Sequence, residues 1–176
     1  MSPVFAGPYL ASVGLLGVAG VAKLIRPVDT AGALRAAHLP ASTTIVRAGA
    51  VAEVAVAAAA LAAPGPAPAA AVGASYGVFL LFVAVALAKR WPISSCGCFG
   101  RPDTKPTVSH LVLNGAAAAA AAGWALSGPR TVAAAFTHQP WAGVPLVLAT
   151  VVTGALAYLV FTNPLAQRRL TGRTAS

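Results

Sequence analysis

Charge is scarce in this chain: 9% of its 176 residues are charged, and only Asp29, Glu53 and Asp103 are acidic. A soluble domain of this length carries roughly a quarter charged residues to coat its surface. An ordinary soluble globule is therefore excluded, and the chain belongs in lipid. Aromatic residues are few as well, at 7%. The apolar majority is instead alanine, with runs at 57–60 and 116–122, which makes thin helices that pack closely. No polar linker divides the chain and no internal repeat of usable length is present, so the length fits a single domain. With two cysteines and three histidines in all, a closed four-coordinate zinc site would have to draw on nearly every such residue in the chain.

What remains is a set of apolar runs. Five are long enough to cross about 30 Å of hydrocarbon, at residues 8–25, 44–63, 68–88, 108–127 and 141–161. The expected fold is an all-α integral membrane bundle of about five transmembrane helices. Prolines fall between the runs, at Pro27 and Pro40, at Pro64, Pro66 and Pro68, at Pro92, Pro102 and Pro106, and at Pro129 and Pro140. Pro145 falls one turn inside the last run. No basic residue precedes the first run, which closes on Lys23 and Arg26 rather than on a cleavage site, so it is expected to stay as a helix. Residues 128–162 form a connection and the fifth helix, and residues 163–176 a basic tail. Gly14, Gly17 and Gly20 in the first run and Gly73 and Gly77 in the third are expected to bring helices close. Such contacts serve helices of one chain and of an oligomer alike.

Twelve Lys and Arg give a net charge of +9. That excess would fit nucleic acid on a soluble domain, but here the basic residues occupy short loops between apolar runs, as membrane orientation requires. Lys23, Arg26, Arg35, Lys89, Arg90, Arg101, Lys105, Arg168, Arg169 and Arg173 fall on one side and Arg130 alone on the other. The N-terminus is expected outside an inner membrane, with the C-terminus and the 89–107 loop in the cytoplasm. The partners expected are membrane lipid and a thiol protein, with no nucleic acid.

That loop holds both cysteines, in Cys96-Gly97-Cys98-Phe99-Gly100. Two thiols one glycine apart form a dithiol. A disulfide between them closes a very small ring, needs the turn that Gly97 supplies, and is easily passed on. Arg90, Arg101 and Lys105 favour thiolate over thiol. Three readings fit: thiol–disulfide exchange of the oxidoreductase kind, soft-metal binding with His110 as a third ligand, and a glycine-rich loop whose cysteines only pack. No quinone, haem or flavin motif is evident, so the terminal electron carrier, a quinone included, is open.

Glu53 lies near mid-depth in the second run, where an ionised carboxylate costs at least ~2.5 kcal/mol. It should face the interior, protonated or paired. Arg47, six positions earlier, is about 240° around the helix and a poor partner; Lys23 at the end of the first run is better placed. Glu53 then reads as a proton relay or substrate contact, or as a polar anchor between helices. His110 and Asn114, four apart, share a face just after the cysteine loop. They present a base and an amide to the thiols, or lock helices together. Trp91, Trp124 and Trp141 fall near run ends and read as headgroup anchors.

Lys23 closing an apolar helix, Leu39-Pro40, Glu53, the Cys-Gly-Cys-Phe-Gly string and Asn114 together resemble the MauE family of methylamine-utilisation membrane proteins, allied to the DoxX-like group. The resemblance covers roughly residues 7–124. It implies a four-helix DoxX-like core over 1–127 with one added C-terminal helix. It also implies a redox-active pair at Cys96 and Cys98, accompanied by Glu53 and Lys23. The role implied is maturation or support of a disulfide-containing partner such as the methylamine dehydrogenase small subunit, with a thioredoxin-like protein as electron partner. A metal-binding membrane protein or transporter, and a noncatalytic assembly factor, are the alternatives from other classes.

Overall fold

The computed structural model describes residues 5–93, 106–127 and 144–162. They form six helices and, among the described residues, no strand: α1 (Ala6–Ile25), α2 (Pro27–Ala36), α3 (Thr43–Ala62), α4 (Pro66–Ala88), α5 (Val108–Ser127) and α6 (Val144–Thr162). Among the described residues, α1, α3 and α4 are long and apolar enough to cross a membrane. The helices α5 and α6 have comparable length, 20 and 19 residues. In α5, Ser109, His110 and Asn114 interrupt the apolar run.

Proline and side-chain caps set the helix ends. Ser42 accepts a hydrogen bond from the Ile45 amide (3.1 Å) and so caps α3. Pro66 opens α4 behind an extended Gly65. Pro145 is the second residue of α6, nearer its start than the sequence pattern placed it, so its missing N–H is one that no helix would use. Helix α2 falls where the sequence pattern gives only a connection between the first two apolar runs. Pro27 supplies the fixed φ of a first helical residue, Asp29 sits in the first turn and Arg35 in the last, both on the favourable ends of the helix dipole.

Helices α2 and α4 stop in the same way. His38 (φ 57°) and Arg90 (φ 50°) are left-handed. The Leu39 amide returns to the Leu34 carbonyl (2.9 Å), and the Trp91 amide to that of Ala86 (3.1 Å). Each is a Schellman closure with a side-chain-bearing residue where glycine is usual.

The helices pack around α1, which touches all five others; its contacts with α3, and those of α4 with α5, are the most extensive. Tyr9, Val13 and Leu16 of α1, Val72 and Tyr76 of α4 and Trp124 of α5 make the main core. Tyr76 Oη donates to the Ser12 carbonyl at 2.7 Å. Trp124 is 3% exposed and stacks on Tyr9 with ring centroids 4.8 Å apart, so it is a core residue rather than a headgroup anchor. It fits because Ala120, Ala121 and Gly123 beside it take so little space. Gly123 itself lies under the Phe5 ring, where a Cβ would stand 2.7 Å away.

The glycine expectation holds in part. Gly17 and Gly20 meet α3 and Gly73 meets α5, but a Cβ at Gly14 or Gly77 would touch nothing within 4 Å. Glycines spaced by three drift about 60° per step around a helix, so a row of three cannot all face one neighbour.

Candidate functional site

Cys96, Gly97, Cys98, Phe99 and Gly100 lie outside the described residues, as does Trp141. The described chain shows how the helices on either side of the cysteine segment end. On the entering side, Ile93 and Ala86 are buried with Ala33 of α2, and Phe82 and Trp91 pack against them. On the leaving side, Thr107 precedes α5, and its carbonyl accepts from the His110 amide at 3.0 Å. Thr107 Oγ1 and His110 Nδ1 share a hydrogen bond of 2.8 Å whose donor depends on the imidazole tautomer. Asn114 Nδ2 donates to the His110 carbonyl at 2.8 Å, within the same helix. His110 and Asn114 are both buried. The geometry thus gives the amide a helix-internal partner, one turn back.

The described polar centre is on α1 and α3. Lys23 Nζ donates to Glu53 Oε1 at 2.5 Å, with side-chain exposures of 6% and 13%. Lys23 stands two residues from the end of α1, yet a helical side chain leans toward its own N-terminus, which here carries the ammonium inward. There it also lies over the Phe79 ring, 4.4 Å from the centroid. Arg47 is exposed. The depth argument made from sequence therefore matches the observed partner. A charge in hydrocarbon needs a counter-charge, and Lys23 is the one within reach.

Gly20 makes this approach achievable. A Cβ there would stand 2.8 Å from Val54 Cγ2, 3.0 Å from the Ala50 carbonyl oxygen and 3.2 Å from Glu53 Cβ. Without a side chain at 20, the two helices close until the residue one turn later meets Glu53. The second carboxylate oxygen, Glu53 Oε2, is buried and has no hydrogen-bond partner among the described residues.

Above the pair lies a cleft of about 310 Å³. Lys23 and Glu53 are in its lining with Thr30, Ala33 and Leu34 of α2, Leu39 beyond it, Ile45, Val46 and Gly49 of α3, and Val78, Phe79 and Phe82 of α4. Sequence reasoning missed this cleft because α2 was unforeseen. The available signal was Phe79 and Phe82, three apart on α4 and hence on one face. Among the described residues no three His, Cys, Asp or Glu side chains stand together as metal ligands.

The profile of the family described as Methylamine utilisation protein MauE matches residues 1–128. The chain belongs to the MauE family. The MauE match takes in α1 to α5, the Lys23–Glu53 pair and the segment with both cysteines, and leaves α6 outside. No match is found among curated proteins or solved structures. A MauE protein with this hydropathy and this bundle is a membrane protein linked to methylamine utilisation.

Proposed function

We propose that this MauE-family protein is a thiol–disulfide accessory of the inner membrane, working through Cys96 and Cys98 to set the redox state of a partner protein during its maturation. The observation that carries the reading is that the family match includes the chain's only two thiols, one residue apart among basic residues. One thiolate attacks a partner disulfide to give a mixed disulfide, and the second thiol displaces the partner and closes the Cys96–Cys98 bond. Two electrons pass to the partner, and the two protons given up here end on its thiols. Run in reverse, the same steps oxidise a partner dithiol.

Positive loop charge supports a cytoplasmic position for the pair, where cysteine pairs are transient rather than structural, and where a thioredoxin-like protein is the fitting exchange partner. Glu53 serves in this reading as the proton-handling or substrate-contacting group of the bundle, with Lys23 holding it in place.

Single Cys96→Ser and Cys98→Ser variants, expressed in cells growing on methylamine, test this. In the variant that lacks the resolving cysteine, a mixed disulfide with the partner should persist on non-reducing gels, and growth should fail. Normal growth of the double serine variant would replace the redox reading with a noncatalytic assembly role. Stoichiometric Cu(I) binding that either serine abolishes would replace it with a metal site.

A further inference from the structure

The cleft above the Lys23–Glu53 pair has a chemistry that the cysteines do not explain. Ile45, Gly49 and Val78 are exposed, so it opens on the outer surface of the bundle between α3 and α4. With α2 in its lining the opening lies toward the cytoplasmic end of the bundle, where headgroups meet acyl chains, so a lipid-soluble ligand reaches it from the membrane. The walls are apolar, with Phe79, Phe82 and Leu34 facing the space. A volume of about 310 Å³ is at the lower end of small-molecule sites, roughly 300–1,000 Å³. That holds one small ring system or one stretch of chain, not a whole phospholipid.

The floor decides the head group. Lys23 and Glu53 neutralise each other, so the head carries no net charge. An ammonium would meet Lys23, which already occupies the face of Phe79. A phosphate brings only acceptors and negative charge to a carboxylate. Glu53 Oε2 is a buried acceptor with no donor among the described residues, and such an atom is costly until a donor arrives. Glu53 is itself in the lining of the cleft, so a donor held there stands beside this carboxylate. We infer that the cleft binds a neutral, lipid-soluble phenol or alcohol, its apolar body between α3 and α4 and its hydroxyl donating to Glu53. The inference shares Glu53 with the thiol reading above but does not rest on the cysteines.

Radiolabelled 1-naphthol, titrated onto the full chain in lipid nanodiscs with empty nanodiscs subtracted, tests it. Saturable binding is expected, and 1-methoxynaphthalene, which has the same ring but no donor, should compete about tenfold more weakly or worse. Competition by 1-decanol would assign the site to chain alcohols, and its failure to ring phenols. Gly49→Phe plugs the cleft at a position where a Cβ meets nothing within 4 Å, and should remove naphthol binding while leaving the melting temperature near wild type. Lys23→Met/Glu53→Leu, which replaces the pair by apolar side chains, should abolish the preference for naphthol over its methyl ether. Absence of saturable naphthol binding, equal affinity for the two ring compounds, or unchanged binding in a folded Gly49→Phe chain would overturn the inference.

Discussion

Gly20→Ala adds one methyl group at the closest point between α1 and α3, and its effect can be worked from the distances. The new Cβ would stand 2.8 Å from Val54 Cγ2, 3.0 Å from the Ala50 carbonyl oxygen and 3.2 Å from Glu53 Cβ. Val54 is β-branched and held in essentially one rotamer within a helix, and the other two neighbours are backbone or attached directly to it, so none can swing aside. The helices must separate by several tenths of an ångström. Overpacking of this kind costs about 1–3 kcal/mol. Alanine regains about 0.8–1 kcal/mol of helix preference over glycine, which leaves a net loss of about 0–2 kcal/mol relative to wild type and about 1–3 kcal/mol relative to an alanine placed where it meets nothing. The displaced group includes Glu53 itself, so the Lys23–Glu53 bond lengthens and the cleft floor shifts. Gly14→Ala is the control, since a Cβ there touches nothing within 4 Å and should be neutral or slightly stabilising. Thermal unfolding of both purified variants in detergent, by helical circular dichroism, gives the comparison. Equal melting temperatures would refute the claim that Gly20 sets the approach of the two helices.

Lys23→Met and Glu53→Leu should each lose about 3–5 kcal/mol by stranding the remaining charge, while the double variant should lie close to wild type, a coupling that denaturation of all four chains would measure. Tyr9 Oη is buried without a partner among the described residues, whereas Tyr76 Oη bonds Ser12, so Tyr9→Phe should be neutral or stabilising and Tyr76→Phe should cost about 1 kcal/mol in the same assay. His38→Gly and Arg90→Gly remove side chains from left-handed positions and should each raise stability by roughly 0.5–1 kcal/mol, visible as higher melting temperatures.

The parts of this molecule that sequence revealed are those governed by the solvent. Hydrocarbon demands long apolar runs closed by prolines, and the helix ends fall within about three residues of the run ends because Ser42, Pro66 and Pro145 act locally. It also demands that Glu53 find a cation, which singles out Lys23. What sequence concealed depends on distances between helices. Trp124 near a run end looks like an anchor until Gly123 and its alanines are seen to make room for it against Tyr9. Gly14 and Gly77 look like packing residues, but of the five glycines in those two rows it is Gly17, Gly20 and Gly73 that turn toward a neighbour. Helix α2 mixes Asp29, Thr30 and Arg35 with small residues and shows no clear apolar period, so the cleft it helps line was hidden with it.

The Lys23–Glu53 pair also bears on how the chain enters the membrane. Its members are 30 residues apart in sequence, which at roughly 5–20 residues per second of synthesis is about two to six seconds. Throughout that interval α1 exists without the carboxylate that neutralises it. A lysine near a helix end can hold its ammonium at the bilayer surface, with its carbon stem against the apolar region. A Lys23 ammonium held there has its counter-charge within reach once α3 has been made. In chain order the ion pair is thus available to join α1 to α3 before α4, which carries Phe79 and the far wall of the cleft, has been synthesised.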